Sequence, residues 1–309
     1  MEPANNTDSN VCAKPFVKWA GGKGQLLETF KQYYPPTLRE GRIKRYIEPF
    51  VGGGAVLFEI LKKYKIEEAF IFDVNEDLIN TYIVIKNDVD KLVECLSGLA
   101  QQYMELNESS RKEMYYEIRD AYNARTYHNN PEIERAAQFI FLNRTCFNGL
   151  YRVNRAGFFN VPFGDYKNPT ICDAKNLYDV SSMLQRVQIF AGSYRESIEY
   201  VNQDSFVYFD PPYRPLNITS NFTSYSKSDF SDEDQVQLAH YFAELDKTGA
   251  LLMLSNSDPK NENPDDNFFD ELYGKFYIHR IKAKRAINSN GRGRGLISEI
   301  LVTNYMVGE

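Results

Sequence analysis

The residues best equipped for chemistry are Asp210-Pro211-Pro212-Tyr213, which directly follow the apolar run Phe206-Val207-Tyr208-Phe209. A buried strand that ends in two prolines ends in a rigid turn, and α/β folds bind ligands outside the carboxyl ends of their strands. At such a place the Asp210 carboxylate and the Pro211 carbonyl are two acceptors aimed into a cleft, with the Tyr213 ring face beside them. That pair suits a planar aryl amine such as adenine N6, whose lone pair is delocalised into its ring. Two acceptors gripping its two hydrogens draw the nitrogen toward a tetrahedral state and localise that lone pair. With an already activated methyl donor, positioning supplies much of the remaining acceleration and no permanent general base is required. A bare Asp-Pro dipeptide reads as a structural turn. The full tetrapeptide behind a buried strand reads as a site.

Two glycine clusters could hold a cofactor. In Phe50-Val51-Gly52-Gly53-Gly54 the glycines lie between an expected strand and an expected helix, where backbone can approach a ligand closely. Asp73 follows 19 residues after Gly54, at the end of the next strand, where a carboxylate accepts hydrogen bonds from ribose hydroxyls. A glycine turn with an acid also suits nicotinamide enzymes and plain turns. The three spaced glycines of the dinucleotide fingerprint are missing, so a cofactor without a pyrophosphate, such as S-adenosylmethionine, fits better. The second cluster, Lys18-Trp19-Ala20-Gly21-Gly22-Lys23, is no phosphate loop, because Val17 and Gly24 stand where Gly and Ser or Thr are needed.

The elements that must position these residues follow from the pattern around them. Residues 45–50, 69–73, 187–190, 206–210 and 250–254 read as strands, and residues 55–64, 76–86 and 232–245 as helices. Ser231 is the expected N-cap of the last helix, and Gly249 follows its end. Residues 276–281 and 299–305 read as an antiparallel pair flanking a basic loop. The expected fold is therefore α/β, a doubly wound Rossmann-like sheet. Between about residues 87 and 169 helices dominate (90–103, 110–125, 131–143), followed by a Gly-, Asn- and Arg-rich loop over 143–164. The expected organisation is a disordered tail over 1–13, a catalytic domain from 14–86 and 170–309, and an inserted, mainly helical recognition domain over 87–169.

Composition narrows the classes further. Of 309 residues 43% are hydrophobic and 25% charged, as in ordinary globular chains. Neither a secretion signal nor a membrane span is expected, which points to a cytoplasmic protein. Four scattered cysteines and three histidines lack metal-ligand spacing, so no metal is expected. The net charge of -6 argues mildly against a nucleic-acid partner. Its distribution softens that objection: residues 274–298 carry Lys275, Arg280, Lys282, Lys284, Arg285, Arg292 and Arg294 and no acid. Arg135, Arg144, Arg152, Arg155 and Lys167 form a second basic stretch against Asp165 alone.

In their order along the chain, the segment Lys18 to Lys23, Glu48-Pro49-Phe50-Val51-Gly52-Gly53-Gly54, Asp73, residues 143–164, Asp210-Pro211-Pro212-Tyr213 and Leu254-Ser255-Asn256-Ser257 resemble the Dam-type family of DNA adenine-N6 methyltransferases (alpha group, D12 class). The resemblance runs from residue 16 to residue 305. It implies S-adenosylmethionine as cofactor, lined by Trp19, Ala20, Gly21, Gly22, Lys23, Phe50, Gly52, Gly54, Asp73, Ser193, Tyr194 and Asp210. It implies Asp210, Pro211, Pro212 and Tyr213 as the residues that hold a flipped target base. Residues 143–154 resemble the DNA-reading hairpin of members that methylate 5′-GATC. There Phe147 is the aromatic wedge, Leu150 and Arg152 contact bases, and Arg152 can grip guanine bidentately. Lys18, Arg144, Asn148, Arg285 and Asn288 complete the DNA-facing set that the resemblance implies. Residues 288–295 match the family in character but not in spelling, and the tail before Val11 has no counterpart.

The partner expected is duplex DNA, with a cognate restriction endonuclease compatible with the family and a monomer or weak dimer compatible with the chain. Two alternatives remain open. One is methyl transfer to another planar nitrogen, such as cytosine N4, RNA adenine or a protein amide. Asp rather than Ser before the two prolines speaks for adenine. The other is a catalytically silent DNA-binding relative, against which the acidic and aromatic members of the motif are both present.

Overall fold

The computed structural model describes residues 12–126, 130–214, 230–284 and 296–307. Arg285, Asn288 and most of the expected tail lie outside them. Cys12 and Ala13, which the sequence assigns to that tail, are packed: Ala13 is buried and the Cys12 N–H donates to Asp179.

Short runs rich in β-branched and aromatic residues form the strands. These are β1 (Arg45–Glu48), β2 (Glu68–Asp73), β3 (Val187–Ala191), β4 (Ser205–Phe209), β5 (Leu251–Ser257), β6 (Tyr277–Lys284) and β7 (Leu296–Thr303). They make one seven-stranded sheet in the order β3-β2-β1-β4-β5-β7-β6. The first five strands are parallel, and β7 runs antiparallel between β5 and β6. The doubly wound sheet expected from the sequence is present. The chain leaves β1 for β2 and β3, then returns to place β4 on the other side of β1. That reversal opens a crevice at the carboxyl ends of β1 and β4.

The helices are α1 (Leu27–Phe30), α2 (Pro36–Arg39), α3 (Ala55–Lys63), α4 (Glu76–Asn87), α5 (Val89–Glu105), α6 (Glu108–Ala124), α7 (Pro131–Thr145), α8 (Ala174–Leu184), α9 (Asp232–Asp246) and α10 (Phe268–Leu272). Alternate strand residues enter opposite cores. Tyr46, Ile71, Tyr208, Met253 and Leu301 belong to one apolar cluster; Ile47, Phe72, Val207, Leu254 and Val302 belong to the other. Ser231 caps α9 as expected, accepting the Asp234 N–H. The sequence reading missed α8, which starts at an Asp173 side-chain cap. It also ended β5 too early. Ser255 and Asn256 are polar, but they pair with Leu301 and Ile300 of β7 and are fully buried.

The connection from β2 to β3 carries α4, the three longer helices, a hairpin and α8. Helix α7 packs against α4, α5 and α6. Leu92, Leu96, Tyr103 and Tyr115 of α5 and α6 lie in the same cluster as Tyr46 and Ile71. The helical segment thus shares a core with one face of the sheet.

One side chain fastens that segment to the start of the chain. Asn143, buried in the last turns of α7, accepts the Lys18 N–H at 2.8 Å through Oδ1. Its Nδ2 donates to the Lys18 carbonyl at 2.9 Å and the Gly149 carbonyl at 3.1 Å. Asn143→Ala orphans these backbone groups and should cost about 2–4 kcal/mol of stability. Urea unfolding should show a lower midpoint with an unchanged slope. A loss under about 0.5 kcal/mol, the range of ordinary surface changes, contradicts this role.

Candidate active site

Because β1, β2 and β4 end side by side, Glu48, Asp73 and Asp210 reach one crevice from three separate stretches of chain. A cleft of about 1360 Å³ opens there. The structure brings to its lining every residue expected at the cofactor, Trp19 to Lys23, Phe50, Gly52, Gly54, Asp73, Ser193 and Tyr194, together with Asp210, Pro211, Pro212 and Tyr213.

Asp210 sits one residue beyond β4, at the centre of a polar network. The Lys23 Nζ lies 2.6 Å from one carboxylate oxygen and 2.7 Å from the other, and it also donates to the Gly21 carbonyl at 2.7 Å. Lys23 is only 4% exposed, so its ammonium is committed to this site. The Ser255 hydroxyl donates to Asp210 Oδ1 at 3.0 Å, and Tyr208 Oη lies 2.8 Å from Ser255 Oγ. Burial pushes the Asp210 carboxyl above the usual Asp value, while the charge and hydrogen bond of Lys23 and the bond from Ser255 pull it back. The rest of the turn is held from outside. Gln235 of α9 donates to the Pro212 carbonyl at 3.0 Å, and the Tyr213 hydroxyl donates to Glu299 of β7 at 2.7 Å. Arg214 pairs with Asp232 and Asp266.

Glu48 is 2% exposed and accepts the Tyr46 hydroxyl at 2.8 Å. Burial raises its carboxyl well above the ordinary range, the Tyr46 bond lowers it, and the charge of Asp210 raises it again. Asp73 is fixed by two backbone amides, Gly52 N–H at 3.1 Å and Asn75 N–H at 2.9 Å. Burial raises its carboxyl as well, against those amides. Gly52 has φ +48°, and a Cβ there would lie 2.7 Å from the Trp19 ring. Only glycine lets the Trp19 loop close over this turn. Stacked pairs flank the cleft: Phe50 on Tyr194 at 5.2 Å and Trp19 on Tyr151 at 5.5 Å.

Of the residues expected at DNA, Lys18, Arg144, Phe147, Asn148, Leu150 and Arg152 stand apart from the cleft lining, around a hairpin closed by the bridges Cys146–Phe163 and Val153–Phe159. Phe147 is 52% exposed and Asn148 is exposed beside it in the left-handed region, φ +57°. Leu150 is half-buried against the core. The Lys18 Nζ lies 4.8 Å from the Tyr166 ring centre. Gly149 has φ +64°, and a Cβ there would lie 2.2 Å from Lys18 Cδ, so Lys18 rests on bare hairpin backbone. Arg152 donates to the Asn160 side chain at 2.8 Å and to its carbonyl at 3.3 Å. Arg144 departs from expectation. It turns inward and donates to the Phe16 carbonyl at 2.7 Å, with burial lowering its pKa. Two further cations of the basic stretches also serve internal pairs, Arg135 with Asp77 and Arg280 with Asp258 and Asp270.

Sequence reasoning missed Ser255 as a partner of Asp210, Tyr151 of the hairpin as a partner of Trp19, and Gln235 and Glu299 altogether. Ser255 was within a quoted motif. Gln235, Tyr151 and Glu299 act across elements, and no local spacing marks them.

The donor set fits S-adenosylmethionine. Six acidic side chains line the cleft (Glu48, Glu59, Asp73, Glu76, Asp77 and Asp210) against four basic ones (Lys14, Lys23, Lys62 and Arg125), an excess of acid that suits a sulfonium cation. The Gly52 turn beneath Trp19 sets the Asp73 carboxylate at the cleft, where it can accept from a ribose hydroxyl.

The profile described as D12 class N6 adenine-specific DNA methyltransferase matches residues 19–287. The Type II methyltransferase M.MjaIII of Methanocaldococcus jannaschii is 54% identical over 293 residues, which cover 94% of this chain and 99% of its own. The Type II methyltransferase M1.LlaDCHI of Lactococcus lactis subsp. cremoris is 40% identical over 299 residues, 96% of this chain and 97% of its own. The DNA adenine methylase of Escherichia coli is 34% identical over 289 residues, 93% of this chain and 94% of its own.

Asp73→Ala removes a charge-assisted contact and should weaken binding of S-adenosylhomocysteine by about 1.5–3 kcal/mol. Calorimetric titration measures it. An unchanged affinity makes Asp73 a strand-end residue that serves only the turn at Gly52.

Proposed function

This chain belongs to the D12 class of N6 adenine-specific DNA methyltransferases, and from that premise we propose that it methylates adenine in duplex 5′-GATC, taking the base out of the stack to do so. S-Adenosylmethionine is the methyl donor and supplies, when bound, a methyl group already activated by its sulfonium. The observation that carries the chemistry is Asp210, held by Lys23 and Ser255 at a strand end inside the cleft that also contains Asp73.

A base that reacts at Asp210 has to leave the helix, because the cleft lies at the sheet's carboxyl edge and a stacked base cannot enter it. Asp210 and the Pro211 carbonyl then accept the two N6 hydrogens, and the Tyr213 ring stacks on the base. A carboxylate accepts about four hydrogen bonds, so the bonds from Lys23 and Ser255 leave Asp210 able to accept one more. The nitrogen gains the methyl group as the donor's sulfur–methyl bond breaks, the electron pair staying on sulfur to leave S-adenosylhomocysteine, and the nitrogen loses one proton to water. Exposed Phe147 fills the gap left in the duplex, and Leu150, Arg152 and Lys18 contact base edges. The spelling of the hairpin supports 5′-GATC. Relatives named Type II methyltransferases support pairing with an endonuclease of the same site. DNA as substrate supports work in the cytoplasm; among the described residues no helix is long and apolar enough to cross a membrane.

Asp210→Ala should lower the single-turnover rate at saturating cofactor far more than tenfold, about 1.4 kcal/mol being the threshold. A rate within that margin removes Asp210 from catalysis. The wild-type rate should also fall on the acid side at a pH above the ordinary Asp value of about 3.9. The sign follows from burial: the raised carboxyl takes up its proton earlier as pH drops, and a protonated oxygen accepts the amine poorly. A rate flat to about pH 4 contradicts this.

Arg152→Ala should relax preference at one guanine by about 1–3 kcal/mol while changing binding to unrelated DNA less. Rates on GATC and its single-base variants at one salt concentration separate reading from anchoring. An equal loss on every sequence makes Arg152 a backbone contact. A wild-type enzyme indifferent to GATC sinks the specificity and leaves the chemistry standing.

A further inference from the structure

Beyond the residues that face the cleft, one buried acid of β7 reaches the catalytic turn from behind. Glu299 is 9% exposed and stands opposite Ser257 of β5 and Ile281 of β6. It is not part of the cleft lining, and its Oε2 accepts the Tyr213 hydroxyl at 2.7 Å. Tyr213 does line the cleft, and the Lys23 ammonium lies 4.6 Å from its ring centre.

We infer that Glu299 is a positioning residue for methyl transfer, fixing the plane of the Tyr213 ring against which the target adenine stacks. A tyrosine ring on a turn has two side-chain torsions to settle. The backbone is set by the prolines and by the Gln235 bond to the Pro212 carbonyl. That leaves the ring itself, and a second anchor at the far end of the phenol removes its freedom. Glu299 supplies this anchor from the sheet, which is more rigid than the loop that carries Tyr213. The hydroxyl lies in the plane of the ring, so a bond fixed at its far end also restrains rotation of the ring about its long axis. Reacting atoms placed an ångström off lose a large part of the rate, so a loose ring slows the transfer without touching the amine. Glu299 also lies near the Lys23 charge, which gives a competing account of any defect: charge balance at Asp210.

The test separates the two and needs only the methyl-transfer activity, with S-adenosylhomocysteine binding reporting the folded fraction. The stacking partner rests on the proposed flipped base, whereas the coupling of Glu299 to Tyr213 does not. Single-turnover rates are compared for Glu299→Ala, Glu299→Gln, Tyr213→Phe and the double variant Glu299→Ala/Tyr213→Phe. Tyr213→Phe is isosteric and removes the same hydrogen bond, so it remains informative if Glu299→Ala fails to fold. Each of Glu299→Ala and Tyr213→Phe should slow transfer about tenfold, and the double variant should be no slower than either within about twofold. Glu299→Gln keeps an acceptor and should stay within about threefold of wild type. Multiplying losses in the double variant, or a Gln variant as slow as the Ala variant, overturn the inference in favour of charge at Lys23. A Tyr213→Phe rate equal to wild type overturns it outright. In a parallel measurement, 2-aminopurine replaces the target adenine. A fluorescence rise in wild type that grows further in Tyr213→Phe and Glu299→Ala marks a flipped base less firmly stacked. Equal fluorescence in wild type and both variants means that the ring holds the base as firmly without the Glu299 bond, and overturns the inference.

Discussion

The site depends on one ion pair between a buried Lys23 and a partly buried Asp210. A carboxylate taken out of water tends to take up a proton, and a protonated Asp210 is a poor acceptor for an amine. A lysine that is 4% exposed, bonded to both the carboxylate and the Gly21 carbonyl, offsets that tendency in the folded protein. Such a pair contributes little to stability by itself, since desolvation opposes its attraction, but loss of either partner leaves an uncompensated charge. The neighbouring carboxyls make the balance tight. Glu48 is pushed toward its neutral form, which leaves Lys23 to Asp210.

The second constraint is connectivity between the cofactor turn and the hairpin proposed to read DNA. Residues 18 and 19 touch both. Lys18 is fastened by Asn143 to the hairpin, while the Trp19 ring lies on Gly52 on one side and stacks on Tyr151 of the hairpin on the other. The Arg135–Asp77 pair adds a link between α7 and the start of α4, just beyond Asp73. Side chains with several satisfied hydrogen bonds have few alternative arrangements, so the hairpin and the cofactor turn are held in register with each other.

Charge follows the same economy. An acidic chain of net charge -6 has to place its cations selectively to approach DNA. Arg135 and Arg144 turn inward to hold the fold together, and exposed Arg280 is tied to Asp258 and Asp270. Phe147 and the hairpin backbone around Gly149 then matter more, because an exposed ring adds contact area that carries no charge.

The sequence by itself determined the sheet, the glycine turn and the catalytic turn. Each of these is local: a short apolar run marks a buried strand, Gly52 marks a backbone no other residue fits, and two prolines mark the turn after β4. Asp73 and Asp210 could be read for the same reason, since a strand end is a local feature. What holds those acids in place was not legible. Ser255 and Glu299 sit in strands whose polarity looked like a strand end or a surface, and only the pairing of β5 with β7 buries them. Lys23 was read as a cofactor contact, yet its bond to a residue 187 positions away decides what it does. Arg144 and Arg152 occupy one basic stretch, and only the packing of α7 sends Arg144 inward to Phe16. Backbone geometry is written in residue type and spacing. The partner of a buried charge is set by which elements the fold brings together, and that information is spread over the whole chain.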